Sequence, residues 1–265
     1  MREEKFLISK DNKNSKEFWD ERCKVYGHTG YSDQILYAYD QPLRLKAVNK
    51  ALSDAGLLIN NNTRLLDIGC GDGDFTIEFA NKGAQVTGID ISSEVLRKLK
   101  QKLGKKSNIN LLVMRSQDIS FPPDSFNITL CITTLQHVVD FTELQDTVKN
   151  LIHTSKWILI LETSPVKRMA TTSSYMVFKE RREWIDLFVN NGCSLIYELP
   201  LPQIIRSRIS LIRFLFSKIY KNLTEFSDTE RAILTLVRLV DYLFLYLPYP
   251  KNRTIYRILL FERKN

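Results

Sequence analysis

The sequence predicts an α/β fold: a parallel sheet of seven strands with helices on both faces, a helical segment in front of it and a helical insertion before the last strand. Three features carry that expectation. From Arg64 onward, short aliphatic runs alternate with stretches of three-and-four spacing, the pattern of strands joined by crossover helices. The first run opens into glycines at every second position, Gly69, Gly71 and Gly73, in "TRLLDIGCGDGDF". The last run, "TIYRILLFER" from Thr254 to Arg263, is separated from the others by a long helical stretch.

Each element follows from its local pattern. The polar start "MREEKFLISKDNKNS" is charged at once and has no apolar core segment, so it is not expected to be a secretory leader. Ser15 to Ala55 is helical: Phe18, Trp19, Cys23 and Val25 form a loose apolar face, Leu43, Leu45, Val48, Ala51 and Leu52 form a second, and Gly56 is the stop. Between them "YGHTGYSD" is turn-rich. Strands are expected at Arg64 to Ile68, Gln85 to Asp90, Ile109 to Arg115, Phe126 to Thr133, Trp157 to Glu162, Ser194 to Leu199 and Thr254 to Arg263. Helices are expected near Phe75 to Lys82, Ser93 to Leu103, Phe141 to His153 and Lys179 to Asn191.

The tail breaks the alternation. Ile204 to Asn222 places Arg206, Ser210, Arg213, Ser217 and Lys221 on one stripe of an otherwise apolar helix. Ser227 and Glu230 form a capping box before a second helix, Thr229 to Tyr246, whose thin polar face is Arg231, Thr235, Arg238 and Asp241. Charges inside that helix argue against a membrane span. A lid packed on the sheet domain is expected instead, with interfacial membrane contact through the basic first helix as the alternative. The expected units are a helical cap over 1–56, a ligand-binding sheet domain over 57–202, the insertion over 203–250 and the final strand over 251–265.

Bulk properties set the limits. At 265 residues, with 44% apolar and 26% charged side chains, the chain suits one α/β domain with an elaboration and is not of disordered composition. Cys23, Cys70, Cys131 and Cys193 stand far apart with no metal-ligand spacing, so reduced, buried thiols in a cytoplasmic protein are expected, with no metal site. The formal charge of +8 permits attraction to phosphates, anionic lipid or acidic substrates and identifies none of them.

The glycines narrow the ligand. A strand ending in an acid, a glycine turn and then a helix is a nucleotide-type site at the carboxyl ends of the strands. A dinucleotide site needs G-x-G-x-x-G, with pyrophosphate on the helix N-terminus. Here the third glycine comes one residue early, and Asp72 and Asp74 flank Gly73, so a pyrophosphate would be repelled. The strand "QVTGID" ends at Asp90, whose carboxylate can accept hydrogen bonds from both ribose hydroxyls. An adenosine without phosphates, bearing a cationic amino acid for acids to meet, describes S-adenosylmethionine.

Together "LLDIGCGDG", "VTGID" and "LQHV" resemble the class I S-adenosylmethionine-dependent methyltransferases, in particular the small-molecule, methyltransferase type 11 or UbiE-like branch, over roughly Arg64 to Glu162. The resemblance implies a Rossmann-like, doubly wound, mostly parallel sheet with an antiparallel last strand. It assigns the turn of Asp67, Gly69, Cys70, Gly71 and Gly73 to the methionine part of the cofactor, Asp90 to the ribose and Ile91 to the adenine. Gln117, Asp118 and Ile119 become candidates for the adenine amino group. Cys131, Thr133 and Leu135 fall near the sulfonium, with His137 just beyond. Asn127, where many relatives have aspartate, and "HTSKW", where many have paired glycines, depart from the pattern without touching the cofactor assignment.

Methyl transfer from a sulfonium needs alignment and desolvation more than acid–base help. His137 is the candidate base, against a role fixing its loop by hydrogen bonding, and His28 in "YGHTGY" is the second candidate. Tyr26, His28 or Tyr31 is expected to contact cofactor or substrate, and Tyr175 and Arg181 are expected to contact the acceptor. His153, at a helix end, reads as structural. The expected reaction is methylation of an oxygen or nitrogen of a small, apolar or amphipathic molecule, leaving S-adenosylhomocysteine. A peptide acceptor is the first alternative. RNA is disfavoured by the absence of an Asn/Asp-Pro-Pro-aromatic motif and of an appended RNA-binding module. A non-catalytic cofactor-binding protein and an NAD-dependent oxidoreductase are the readings from other classes.

Overall fold

The computed structural model describes residues 15–30, 34–104, 106–165, 175–202, 228–247 and 254–264. Seven strands form one sheet: β1 Arg64–Ile68, β2 Gln85–Asp90, β3 Ile109–Val113, β4 Phe126–Ile132, β5 Ser155–Thr163, β6 Cys193–Pro200 and β7 Tyr256–Arg263. Their order is β3-β2-β1-β4-β5-β7-β6. Strands β1 to β5 pair in parallel, and β7 runs antiparallel between β5 and β6. The chain steps outward from β1 through β2 to β3, then returns to the far side of β1 as β4. The switch point between β1 and β4 is where an open α/β sheet leaves a crevice beyond its strand ends.

The described helices are α1 Ser15–Tyr26, α2 Gln34–Asp54, α3 Asp74–Asn81, α4 Ser93–Leu103, α5 Phe141–Thr154, α6 Arg181–Val189 and α7 Asp228–Phe244. Alternate residues of each strand face opposite layers, so the inner strands read as continuous apolar runs. On one side Leu65 and Leu130 pack with Leu43, Val48 and Phe79 of α2 and α3. On the other, Leu66 and Ile68 pack with Leu144, Val148, Trp184 and Phe188 of α5 and α6. All four cysteines are free and buried.

The two departures noted in the sequence have local explanations. Asn127 Oδ1 accepts from the Arg64 backbone N–H at 2.7 Å, a bond that a neutral amide makes as well as an acid does. In "HTSKW" the helix passes straight into β5: Thr154 Oγ1 donates to the Asn150 carbonyl at 2.9 Å, and the hydroxyls of Thr129 and Ser155 meet at 2.5 Å. No turn exists there for glycines to make.

One expectation is corrected. Val25 is 50% exposed, so the apolar face of α1 runs through Phe18, Trp19 and Cys23 without it. Within the thin polar face expected on α7, Arg238 and Asp241 are buried against α2. Arg238 Nε donates to the Tyr39 carbonyl at 2.9 Å, and the Tyr39 hydroxyl donates to Asp241 Oδ2 at 2.7 Å. The stripe expected over Ile204 to Asn222, the Ser227 and Glu230 capping pair and Tyr31 lie outside the described residues and side chains. No helix among the described residues is long and apolar enough to cross a membrane.

Candidate active site

A cavity of about 400 Å³ opens beyond the carboxyl ends of β1, β2 and β4, within the range of small-molecule sites. Its floor is the turn after β1. The N–H groups of Gly69 and Cys70 both donate to the Ile89 carbonyl, at 2.8 and 3.0 Å, which ties the turn to the end of β2. Gly69 has φ +66°, and a Cβ there would run into the side chain of Thr134. Gly73, at φ +79°, closes the turn as the N-cap of α3. Only glycine takes these left-handed angles without strain, which answers why three of the chain's ten glycines fall here.

Acids line this wall. Asp90 Oδ2 accepts from the Gly71 N–H at 3.0 Å and Oδ1 from the Ser92 N–H at 2.9 Å. Each oxygen keeps accepting capacity toward the cavity. Burial pushes the Asp90 carboxyl up to about 6. Asp67, wholly buried, accepts from Thr76 Oγ1 at 2.6 Å, and burial with the neighbouring Asp90 charge raises it to about 7. Burial also raises Asp72, which accepts from the Tyr37 hydroxyl at 2.9 Å. Buried carboxylates of raised pKa gain from a cationic ligand and lose from a phosphate.

The loop after β4 forms the next wall, and Glu162 at the end of β5 holds it. Glu162 Oε1 accepts from the N–H groups of Thr134 and Leu135 at 2.9 and 2.8 Å, and Oε2 from that of Gln136 at 3.3 Å. Gln136 Oε1 in turn accepts from the Thr163 hydroxyl at 2.6 Å. Burial raises Glu162 to about 8. Held this way, Thr133 sits at φ +53°, a strained angle for a non-glycine residue at the cavity edge. His137 Nδ1 lies 2.8 Å from the Tyr175 carbonyl, so that nitrogen donates and carries the proton. Burial depresses the imidazole to about 4.

The remaining wall comes from the N-terminal helices. The Phe18 ring stacks on Tyr175 with centroids 4.1 Å apart, and Trp19 meets the His137 ring edge-on at 4.9 Å. Arg22 donates to the Gly30 carbonyl and folds "YGHTG" back, so that Thr29 stands against Gly71. Arg44 of α2 reaches the cavity from below, its Nη1 3.5 Å from Thr133 Oγ1 and its guanidinium 5.2 Å from the Tyr256 ring centroid.

Of the residues expected here, Asp67, Gly69, Cys70, Gly71, Asp90, Ile91, Gln117, Thr133, His137 and Tyr175 do border the cavity. The others do not. Gly73 shapes the turn from behind, while Cys131, Leu135 and Ile119 are buried in the core. Asp118 is exposed, because the short 3₁₀ turn Ser116–Asp118 directs Gln117 to the cavity in its place. His28 stacks behind Tyr37 at 4.1 Å and Tyr26 lies under the Arg22 guanidinium, so Thr29 and Gly30 make the approach expected of them. Arg181 is held by Glu198 at 2.8 and 2.5 Å, away from the cavity.

Sequence reasoning missed Tyr37, Gln41, Arg44, Glu143 and Glu162. Two of these carried a signal. Glu162 ends the apolar run "WILILE" as Asp67 and Asp90 end theirs, and Asp40 with Arg44 interrupts the apolar face of α2 one turn apart.

Residues 65–156 match the family model described as a methyltransferase domain. A ubiquinone biosynthesis O-methyltransferase of Albidiferax ferrireducens is 33% identical over 132 residues, 47% of this chain and 49% of that protein. A ubiquinone/menaquinone biosynthesis C-methyltransferase of Geotalea daltonii is 31% identical over 124 residues, 44% of this chain and 50% of that protein. The chain thus spans about half the length of the curated relatives it matches. The solved phosphoethanolamine N-methyltransferase 2 of Haemonchus contortus, in complex with S-adenosyl-L-methionine, superposes with a TM-score of 0.62 at 16% identity, covering 94% of this chain and 60% of that one. At that identity the likeness speaks for the fold. Glycine turn, paired strand-ending acids and strand order agree with the family match, which marks residues 65–156 as similar to a methyltransferase domain.

Proposed function

We propose that this chain binds S-adenosylmethionine on the Gly69–Gly73 turn and transfers its methyl group to an oxygen or nitrogen of a small, largely apolar acceptor. The observation that carries this reading is the two-sided cavity: glycines and buried acids on one wall, aromatic rings on the other. The residues fit the cofactor. Gly69 offers bare backbone, Asp90 has accepting capacity for ribose hydroxyls, and Asp67 and Asp72 favour a cation. When bound, the cofactor supplies a methyl group already activated by its positively charged sulfur.

The chain's own residues then have to orient the acceptor and exclude water. Phe18, Trp19 and Tyr175 form the apolar wall, and Ile91 and Gln117 flank the place assigned to the adenine. His137 keeps Nδ1–H on the Tyr175 carbonyl and stays neutral at physiological pH. Its Nε2, which accepts from Gln136 Nε2 at 3.4 Å, is the proton acceptor we assign for an acceptor molecule that arrives protonated. It is a weak base, because burial disfavours the imidazolium. Within the expected insertion, α7 is assigned to the lid, since it rests on α2, the helix that brings Tyr37, Gln41 and Arg44 to the cavity. Free, buried thiols suit the reducing cytoplasm.

The test is transfer of a labelled methyl group from S-adenosylmethionine to a panel of phenols, amines, peptides and RNA. Label should enter an apolar phenol or amine, and Asp90→Ala should lower the transfer at limiting cofactor concentration. Label entering only peptide or RNA would overturn the acceptor assignment.

A further inference from the structure

The outward face of α7 is a ridge of apolar side chains. Ala232, Leu236, Leu239 and Leu243 recur at spacings of four, three and four and are all exposed, and Tyr246 and Leu247 continue the ridge past the helix end. Leu236 is 66% exposed, Leu243 60% and Tyr246 62%. The two charged side chains described on this helix, Arg238 and Asp241, point the other way, into α2. Among the described side chains, the helix shows solvent an apolar ridge with Thr235 beside it, while its charges turn inward. A contiguous exposed face of this kind marks an interaction surface.

Charge beside the ridge indicates what covers it. Lys46 Nζ lies 4.3 Å from the Tyr242 ring centroid, and Lys50 Nζ, which also pairs with Asp54, lies 4.7 Å from that of Tyr246. Leucines flanked by tyrosines and lysines match a lipid boundary: the apolar chains enter it, the phenols stay at headgroup depth and the ammonium groups meet phosphate. In sequence, Gln203 to Asn222 holds Arg206, Arg208, Arg213, Lys218 and Lys221 and no acid, with Glu225, Asp228 and Glu230 following it. A second copy is the poorer fit, because a two-fold contact sets the same lysines near one another.

We propose that the outward face of α7, with Lys46 and Lys50 at its edge, docks on an anionic lipid surface with the helix lying in the plane of the headgroups. The proposal is independent of the acceptor's identity.

It is tested by sedimenting the full chain with vesicles of mixed phosphatidylglycerol and phosphatidylcholine, or of phosphatidylcholine alone. Retention on the anionic vesicles that weakens with salt is expected. The double variant Leu239→Glu/Leu243→Glu should lower the bound fraction about ten-fold or more, and Lys46→Glu should lower it by about five-fold or more. Both variants should bind S-adenosylmethionine as the parent does, which establishes that they are folded. No retention on anionic vesicles, or equal retention of the double variant, would overturn the proposal. So would a dimer in solution that the double variant splits in the absence of any vesicle binding.

Discussion

Asp90 serves two ends at once: it fixes the Gly71 and Ser92 amides and presents its carboxylate to the cavity. Asp90→Ala should weaken S-adenosylmethionine binding by about 1.5–3 kcal/mol, the cost of losing hydrogen bonds to a charged group. Unchanged affinity in a calorimetric titration would remove the ribose assignment. Glu162 acts through its neighbours. In Glu162→Gln one oxygen becomes an N–H₂ that faces the backbone N–H groups it should accept from, so unfolding stability should fall by about 1–3 kcal/mol. Turnover should fall more than cofactor affinity, because the loop carrying Thr133 and His137 loses its anchor. An unaltered melting temperature together with unaltered turnover would contradict that role. These two acids also mark what single residues disclose. The place of Asp90 at the cavity was legible because it ends the strand after the glycine turn. Tyr26, His28 and Arg181 were misplaced because partners distant in sequence, Arg22, Tyr37 and Glu198, decide where those side chains go.

Among the elements, α7 and α2 are joined by a buried polar network beside the apolar contact of Tyr242 with the core. Tyr39 donates to Asp241, while Arg238 donates to the carbonyls of Tyr39 and Ala38 at 2.9 and 2.8 Å. Breaking such a network by deleting one charge costs more than the network contributes, because the remaining groups stay buried. Asp241→Ala should therefore destabilise the protein by about 3 kcal/mol in denaturant unfolding, and a loss under about 0.5 kcal/mol, the size of an ordinary surface change, would mean that α7 is not part of the cooperative fold. The existence of α7 was legible from its spacing, with ends within two residues of Asp228–Phe244. Its orientation was not. Periodicity says which residues share a side, and only the tertiary partner says which side turns inward. The same limit hid α2 from the site, whereas the β4 loop was placed because its wall follows directly from its strand.

Across the whole molecule, the buried acids make stability depend on pH. Burial raises Asp90 to about 6, Asp67 to about 7 and Glu162 to about 8. Their folded values lie above their unfolded ones, so their contribution is full below about pH 4 and is lost as pH rises through 6 to 8. His137, depressed to about 4, has the opposite sign: its contribution is full above about pH 6.5 and is lost as pH falls toward 4. Three groups against one predict that the ligand-free protein melts at a lower temperature at pH 8 than at pH 5.5. A cation bound beside Asp67 and Asp90 favours their ionised forms, so S-adenosylmethionine should release protons on binding near pH 6.5. Titration in buffers of different ionisation enthalpy reads that release directly, and it should be smaller for S-adenosylhomocysteine, whose sulfur is neutral. Heats that do not vary with the buffer would contradict the electrostatic account of the cavity. At this level the sequence was most informative: all seven strands were anticipated, since alternation and strand-ending acids are local signals. A cap over 1–56 was expected as well, but which of its side chains reach the cavity was not, since that depends on how α1 and α2 fold back over the glycine turn.

All of this rests on the Gly69–Gly73 turn and Asp90 forming a site for an adenosyl cation and not for a dinucleotide. Calorimetric titration of the full chain with S-adenosylmethionine, S-adenosylhomocysteine and NAD in parallel tests it most directly. The site described here predicts saturable binding of the first two with dissociation constants in the micromolar range and no heat from NAD. Binding of NAD, or silence from both adenosyl ligands, would contradict it.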